Sequence, residues 1–184
     1  MALSSTIFVF DIDLADSDRG VYESLSLRVA RHPSESDEFL VARVLAYCLE
    51  YREGIAFSRG GLSDTDDPPI SIVDLTGVMQ AWIDIGTPAA DRLHRASKAA
   101  PRVVVYTHKD TRQWLASLAE AKIHRADTIE LHALDRTLID QLVTSLDRRM
   151  SFALSVSEGE VYVSIEDRNL HGQLRRLRLQ NPEP

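Results

Sequence analysis

The 184-residue sequence contains a single cysteine and no long apolar segment, and both absences restrict what the protein can be. Cys48 stands alone inside the run LVARVLAYCLEY, so an intramolecular disulfide is excluded and a buried, unreactive thiol is expected. No uninterrupted apolar run approaches the roughly 20 residues of a membrane span, and the N-terminus lacks the basic segment of a secretory signal. We therefore expect no membrane insertion and a location in the reducing cytoplasm.

Basic residues are outnumbered by acidic ones, since 21 Lys and Arg stand against 28 Asp and Glu and the formal net charge is -7. This balance argues against a large basic surface that holds nucleic acid by counterion release alone. Several familiar catalytic patterns are missing as well. The six histidines lack zinc-ligand spacing, Gly60 and Gly61 lack the lysine and helix of a P-loop, and no Gly-x-Ser-x-Gly elbow occurs. Zinc, P-loop and serine-hydrolase chemistry are therefore without support.

The patterns that are present alternate between strand and helix signals and predict one α/β domain over residues 1–184. Alternating apolar and polar residues predict a hairpin from residues 6–14 and 21–29, and another near the C-terminus that turns at Glu158 and Gly159. We expect the two hairpins to flank and extend one mixed sheet.

Between the hairpins, the pattern reads helix, strands, helix, strand from residue 34 to residue 107. The predicted elements are a helix from Ser34 or Ser36 to about Tyr51, strands near 55–58, before Asp74 and over 80–86, a helix from the Thr87 and Pro88 pair to about Ala99, and a buried parallel strand in RVVVYTHK. Beyond it, TRQWLASLAEAK predicts a helix, TIELHAL a strand and LDRTLIDQLVTSL another helix. The α/β alternation thus continues past the core.

Two carboxylates in DLTGVMQAWIDIG, Asp74 and Asp84, lie on neighbouring predicted strands. If Asp74 ends one strand, it can approach Asp84 across the ladder, and two like charges that close repel unless they share a proton or a cation. Magnesium takes oxygen ligands and is often held by one or two carboxylates plus substrate phosphate. The pair therefore predicts a Mg²⁺-dependent phosphodiester site with Asp74 and Asp84 as metal ligands.

Two further residues could complete this site. Glu38, at the edge of the buried stripe of the first helix, could lean into a cleft. Lys98 of the second helix, with Arg92 and Arg95 also nearby, could stabilise negative charge on phosphate. Structural interpretations stand beside the catalytic ones. Asp74 can be a turn residue, and Asp84 a polar-face or capping residue. Glu38 and Lys98 can simply complement helix dipoles.

The C-terminal segment RNLHGQLRRLRLQ concentrates basic residues, namely Arg168, Arg175, Arg176 and Arg178. Such a run can contact nucleic-acid phosphate, but it is more often a solvated edge strand. The sequence favours the edge strand.

The motifs RHPSESDEF, SRGGLSDTDDP, DLTG followed by WIDIG, and VVVYT resemble those of the YaeQ family of bacterial proteins in order and spacing, and the similarity covers nearly the whole chain. The resemblance implies a fold of the restriction-endonuclease-like, PD-(D/E)XK type. It also implies a family without an established activity, for which links to transcription elongation have been suggested. The expected partners are therefore nucleic acid or a protein of the transcription machinery.

The PD-(D/E)XK pattern can be carried over to single positions. Asp74 resembles the first-motif aspartate, Asp84 the second acidic residue and Glu38 the helical glutamate of many members. Gly86 stands where the pattern has a lysine, and Lys98 is then the candidate for a lysine displaced onto the next helix. With that lysine the resemblance implies a Mg²⁺-dependent nuclease. Without it, the resemblance implies a nuclease-fold protein that binds a partner and does not cut.

Overall fold

A computed structural model describes residues 4–59 and 65–179, and within these ranges the chain forms two mixed β-sheets and four α-helices. The helices are α1 (Asp37–Leu49), α2 (Ala90–Ala99), α3 (Arg112–Glu120) and α4 (Arg136–Thr144). The strands are β1 (Thr6–Asp16), β2 (Val21–Arg31), β3 (Ile55–Phe57), β4 (Ile70–Val73), β5 (Met79–Ile85), β6 (Arg102–Thr107), β7 (Glu130–Ala133), β8 (Arg149–Ser157), β9 (Glu160–Ile165), β10 (Arg168–Gln173) and β11 (Arg175–Leu177). None of the helices in the described ranges is long and apolar enough to cross a membrane.

Helix α1 lies inside the molecule because it has no polar face. It begins after Ser36, whose hydroxyl accepts a hydrogen bond from the backbone N–H of Phe39 at 3.2 Å. Nearly every residue from Leu40 to Leu49 is buried, and a helix that is apolar all round must be covered on more than one side. Burial raises the pKa of the Cys48 thiol to about 12, so the prediction of a buried, unreactive cysteine is confirmed.

Both sheets pack against α1. The first sheet has the strand order β10-β9-β8-β1-β2, and its apolar face meets α1 and α4, with Phe10 and Phe152 against Val44 and Leu142. The second sheet has the order β11-β7-β6-β5-β4-β3 and contributes one face to the same core. Its other face is covered by α2 and α3 in a second apolar cluster that includes Trp82. The layers are therefore sheet, helices, sheet, helices.

In the second sheet, β5, β6 and β7 run parallel, and their carboxyl ends reach one common edge. Ile85 pairs with Tyr106, and Thr107 pairs with Ala133. Each of these strands continues into a helix, so α2, α3 and α4 all begin beside this edge. We call it the carboxyl edge. In open parallel sheets, ligands bind in the crevice outside the carboxyl ends of the strands.

The terminal hairpins form as predicted, but the prediction that they extend the core sheet is wrong. They pair with each other instead, through parallel β1 and β8, and build a separate sheet. Their turns are also bonded, since the Asp18 carboxylate accepts from the backbone N–H of Glu158 at 2.7 Å and of Gly159 at 3.0 Å. The alternating pattern shows that a strand has one buried face, but it does not show which strand lies beside it.

The predicted order of helix, strands, helix and strand between residues 34 and 107 is confirmed. The predicted start of the second helix is not, because α2 begins at Ala90 and its N-cap residue Ala89 makes no side-chain bond. The carbonyl of Pro88 accepts from the indole N–H of Trp114 at 2.8 Å, so this segment is used to contact α3. In the arginine-rich tail, β10 and β11 are edge strands, as the sequence favoured. Gly60 and Gly61 lie outside the described residues.

A network of charged groups at the amino end of β6 was not anticipated from the sequence. Arg102 donates to both oxygens of Glu50, at 2.6 and 3.1 Å, and to both oxygens of Glu130, at 2.7 and 2.9 Å. The hydroxyl of Tyr106 donates to Glu50 at 2.8 Å. Glu50 is almost fully buried, so it depends on these partners for its charge. The network joins the end of α1 to two central strands.

We predict that Arg102→Ala lowers the free energy of unfolding by about 2 to 3 kcal/mol, because Glu50 is left buried without its counter-charge. The pKa of Glu130 is lowered by its hydrogen bonds from Arg102, below its ordinary value of 4.5. A lowered pKa contributes stability above the unfolded pKa and loses it as the pH falls through the folded pKa. Urea denaturation should therefore show the difference between wild type and variant shrinking below about pH 4.5.

The matched control is Arg149→Ala, whose exposed side chain pairs with Asp11 at 3.1 Å on the other sheet. It should leave the urea midpoint nearly unchanged. Equal losses in the two variants would contradict the structural role given to Arg102.

Candidate functional site

A cleft of about 270 Å³ opens at the carboxyl edge beside the end of β5. The loop before β4 forms one wall, and the segment between β5 and α2 forms the other. Its lining residues are Phe39, Thr65, Asp67, Pro69, Asp84, Ile85, Gly86, Thr87, Pro88, Arg92 and Lys109. The cleft therefore contains two carboxylates and two cations at the end of a central strand.

Asp84 belongs to this cleft but is only 3% exposed. It shares one face of β5 with Trp82, as the strand alternation predicts, and that face is covered by α2 rather than open to solvent. Its Oδ2 accepts from the indole N–H of Trp82 at 3.0 Å and from Nε of Arg92 at 2.7 Å. The carboxylate is thus already paired with a cation of the protein.

Arg92 connects Asp84 to the loop before β4. Its remaining nitrogens donate to the backbone carbonyls of Thr65 at 2.7 Å and Asp67 at 3.1 Å, and its guanidinium lies over the ring of Trp82 at 5.3 Å from the centroid. A planar guanidinium with several fixed donors suits such a multiple contact. Arg92 therefore holds the loop against the sheet, and Asp84 holds Arg92.

A second and larger cleft, of about 550 Å³, lies next to the first, between the carboxyl ends of β6 and β7. Its lining residues are His108, Lys109, Asp110, Thr111, Arg112, Ala133, Leu134, Asp135, Arg136, Gln173 and Arg175. Lys109 belongs to both clefts. We refer to the two together as the carboxyl-edge groove, defined by these two sets of residues.

In the second cleft, the carboxylates are hydrogen-bonded to the protein, but three of the cationic side chains are not. Asp110 accepts from the backbone N–H of Arg112 at 2.9 Å, and Asp135 caps α4 by accepting from Leu138 N–H at 3.0 Å. In contrast, the side chains of Lys109, Arg112 and Arg175 form no ion pair or hydrogen bond with any described residue. The cations of the cleft are therefore available to a ligand, while both carboxylates are used by the backbone.

His108 lies at the boundary of the core and this cleft and is 8% exposed. Its Nδ1 is buried, and neither ring nitrogen has a hydrogen-bond partner among residues 4–59 and 65–179. Burial lowers the pKa of the imidazole, and the charges of Lys109 and Arg136 act in the same direction, whereas Glu38 and Asp140 oppose them. The ring is a polar group for which the described part of the chain supplies no partner.

The structure does not bring Asp74 and Asp84 together. In the antiparallel ladder of β4 and β5, Ile70 pairs with Ile83 near the carboxyl edge and Val73 pairs with Met79 at the far end. Asp84 is therefore opposite Pro69, five residues from Asp74, or about 16 Å along a strand. The prediction that the two carboxylates meet across the ladder is wrong, because the strands are antiparallel and Asp74 follows the far end of β4.

Asp74 is instead an exposed turn residue. Its Oδ1 accepts from the backbone N–H of Thr76 at 2.9 Å and of Val78 at 3.0 Å, and from the Thr76 hydroxyl at 2.6 Å. These bonds, led by that of the hydroxyl, lower the pKa of the carboxyl. The turn interpretation, which the sequence left open, accounts for the contacts of Oδ1, while Oδ2 accepts from the side-chain amide of Gln80 on β5 at 2.9 Å.

Glu38 lies in the first turn of α1, beside the carboxyl edge. Its pKa is lowered first by its own backbone N–H and by the Ser36 hydroxyl, and then by the charges of His108 and Arg136. Lys98 is exposed in the last turn of α2, six residues and about 9 Å along the axis from Arg92, and it lines neither cleft. Of the four predicted site residues, only Asp84 lines a cleft of the carboxyl edge; Glu38 is next to Phe39, which lines the first cleft, and Asp74 and Lys98 lie elsewhere.

The backbone conformation explains why glycine, and not lysine, stands at position 86. Gly86 has a φ of 88°, a backbone region that residues with a side chain rarely adopt, and its N–H donates to the carbonyl of Tyr106 at 2.8 Å. The strand therefore ends in a turn that favours glycine. A lysine at this position would strain the backbone.

Sequence reasoning missed Asp67, His108 and Lys109, which line the groove. A usable signal was present, because His108 and Lys109 directly follow the predicted parallel strand RVVVYT and residues at that position reach the carboxyl edge. The sequence did place Arg92 near the site, as a cation on the second helix, but gave no sign that it would pair with Asp84.

We predict that Asp84→Asn lowers the free energy of unfolding by about 1.5 to 3 kcal/mol, because Arg92 loses its counter-charge although an acceptor for Trp82 remains. Urea denaturation of the purified variant measures this. Asp74→Asn is the matched control, an equally conservative change on an exposed turn, and should be clearly less destabilising. A larger loss in Asp74→Asn would be incompatible with the contacts described above.

Comparison with known proteins gives consistent matches over almost the whole chain. A family model described as YaeQ protein matches residues 1–174. The curated "Uncharacterized protein YaeQ" of Escherichia coli (strain K12) is 28% identical, with 95% of this chain and 96% of that protein covered. The Salmonella typhi protein of the same name is 30% identical with the same coverage.

Two solved structures are similar to this one in fold. The crystal structure of the YaeQ protein from Pseudomonas syringae matches with a TM-score of 0.86 at 32% identity, covering 97% of this chain and 98% of that one. The YaeQ protein from Xanthomonas axonopodis pv. citri matches with a TM-score of 0.85 at 31% identity, covering 94% and 98%.

Proposed function

This chain belongs to the YaeQ family, and from that premise we propose that it is a non-catalytic protein that binds nucleic acid in the carboxyl-edge groove. The observation that carries the proposal is the unequal engagement of charge in the groove. Asp84, Asp110 and Asp135 are bonded to protein donors, whereas the side chains of Lys109, Arg112 and Arg175, and the carboxylate of Asp67, form no hydrogen bond or ion pair with a described residue.

The residues around Asp84 do not form a fitting magnesium site. Magnesium, which the nuclease-like resemblance implies, needs several oxygen ligands without a competing cation. Arg92 lies 2.7 Å from the Asp84 carboxylate, and among the described residues no group of three or more His, Cys, Asp or Glu side chains could hold a metal ion. The donor set at Asp84 therefore does not fit magnesium, and we derive no reaction step through it.

The cations of the groove favour an anionic ligand. The protein as a whole carries a net charge of -7, so cations that form no internal ion pair stand out against an acidic background. Lys109, Arg112 and Arg175 lie along one groove at the start of two helices, where a backbone of phosphates can be neutralised locally. Phosphate contacts of this kind give affinity without sequence preference. We retain the prediction that the scaffold is of the restriction-endonuclease-like type.

A second candidate function is a metal-dependent phosphodiesterase. One observation favours it, because Asp67, Asp84 and Lys109 line the same cleft beside Gly86. In this candidate function, Asp67 rather than Asp74 is the second metal ligand, and Lys109 rather than Lys98 stabilises negative charge on the phosphate. Arg92 would have to leave Asp84 before an ion could bind there.

The nucleic-acid proposal predicts salt-dependent binding of labelled single-stranded DNA and RNA, measured by fluorescence anisotropy. Lys109→Ala and Arg112→Ala should each weaken binding about tenfold at low salt and reduce the slope of log K against log salt by about 1. Arg28→Ala, at an exposed position on β2 of the other sheet, is the matched control and should leave both quantities unchanged. Equal behaviour of all variants would sink the groove assignment and direct attention to a protein partner of the transcription machinery.

A second prediction separates binding from catalysis. Wild-type protein with Mg²⁺ or Mn²⁺ should leave single- and double-stranded DNA and RNA intact, and calorimetry should detect no metal binding that depends on Asp84, because Arg92 neutralises that carboxylate. Asp84→Asn and Asp67→Asn are measured alongside. Metal-dependent cleavage that disappears in these variants would establish the phosphodiesterase instead.

A further inference from the structure

We propose that the second cleft of the groove, between the ends of β6 and β7, is a binding site for a phosphate monoester, with His108 donating a hydrogen bond to the phosphate and Lys109, Arg112, Arg136 and Arg175 supplying charge. The inference concerns the phosphate group alone and does not depend on the proposed binding of a nucleic-acid strand. Its source can be a small phosphorylated molecule or the phosphorylated end of a nucleic acid.

The buried imidazole of His108 is the first observation. It is 92% buried, lines the cleft, and its Nδ1 has no hydrogen-bond partner in the part of the chain that the structure describes. An unpartnered buried donor or acceptor lowers the stability of the fold by about 1 to 3 kcal/mol, so such a group in a native protein needs an explanation. A ligand oxygen removes this loss of stability if it accepts from Nδ1, which requires the enclosed side of the ring to turn toward the cleft that it lines. The residue follows β6 directly, so its backbone is held by a central strand.

The arrangement of helices is the second observation. Helices α3 and α4, with nine residues each, both begin at this cleft, where their N-terminal dipoles favour an anion. The two ends differ in their capping. Asp135 caps α4, whereas the N-cap residue of α3, Thr111, makes no side-chain bond. Asp110 accepts from the first N–H of α3, that of Arg112, at 2.9 Å. The next two backbone N–H groups, of Gln113 and Trp114, form no hydrogen bond with a described residue and can donate to a phosphate.

The amount of positive charge in the cleft suits the dianion of a monoester as well as a row of diesters. A monoester carries about 1.5 to 2 negative charges at pH 7, and a diester of a nucleic-acid backbone carries one. The cleft gathers four cationic side chains, of which Lys109, Arg112 and Arg175 form no ion pair with a described residue and Arg136 lies 3.9 Å from Asp140. The lining also contains two carboxylates, Asp110 and Asp135, and both accept hydrogen bonds from backbone N–H groups. The four cationic side chains therefore outnumber the carboxylates.

The experiment measures binding of inorganic phosphate, adenosine 5′-monophosphate, and one oligonucleotide prepared with a 5′-phosphate or a 5′-hydroxyl, by calorimetry on the full chain. The imidazole signals of His108 are followed by NMR at the same time. We expect phosphate-bearing ligands to shift these signals and to raise the pKa of His108, because a bound dianion outweighs Lys109 and Arg136 around the ring, with Glu38 and Asp140 acting in the same direction as the ligand.

The variants are chosen so that a folding defect does not decide the outcome. Arg112 is exposed, and Arg112→Ala should weaken binding of phosphate monoesters about tenfold. His108→Gln should remove the NMR response and weaken binding as well. Arg28→Ala and His171→Gln, both exposed positions on the other sheet, are the controls and should change affinity less than twofold.

The ligand series separates the sources and the two proposals. Preference for adenosine monophosphate indicates a small phosphorylated ligand, and preference for the 5′-phosphate oligonucleotide over its 5′-hydroxyl form indicates a nucleic-acid end. Equal binding of the two oligonucleotides, with no response of His108 to phosphate, overturns the monoester site while leaving the binding of a nucleic-acid strand standing. Phosphate binding that Arg112→Ala does not weaken also overturns it.

Discussion

The burial of α1 is the constraint on which the rest of the structure depends. A helix that is apolar all round cannot lie on the surface of one sheet, since its outer side would remain in water. The chain covers it by placing the second sheet against it and by joining the two terminal hairpins into another sheet with α4 beside it. The pairing of β1 with β8, which brings together the two ends of the chain, is the direct consequence.

The same packing determines where helices begin. Parallel β5, β6 and β7 lead into α2, α3 and α4 at one edge, and Phe39, in the first turn of α1, lines the first cleft at that edge. Helix N-termini concentrated at one edge make it locally favourable to anions although the protein is acidic overall. This explains how an acidic chain can present a groove suited to phosphate.

Buried charges in this protein divide into two kinds. Asp84 with Arg92, Glu35 with Arg43, and Glu50 with Arg102 are paired inside the fold, and each pair joins two elements. Such carboxylates are needed because removing one partner leaves the other uncompensated. The second cleft of the groove is different, since within the described ranges Nδ1 of His108 has no hydrogen-bond partner and Lys109, Arg112 and Arg175 form no ion pair. Pairing, more than residue type, separates the structural charges from those available to a ligand.

The sequence by itself determined the elements, because hydrophobic periodicity is a local property. It correctly predicted α1 and its serine cap, both terminal hairpins, the parallel strand β6 and the buried Cys48. Partnership between elements was decided by the tertiary structure alone. Asp74 and Asp84 are near in sequence but lie at opposite ends of an antiparallel ladder, and Arg92, which bonds Asp84, also bonds carbonyls of the loop before β4 that are 25 and 27 residues away. Contacts of that kind depend on packing between distant segments, which no local pattern specifies.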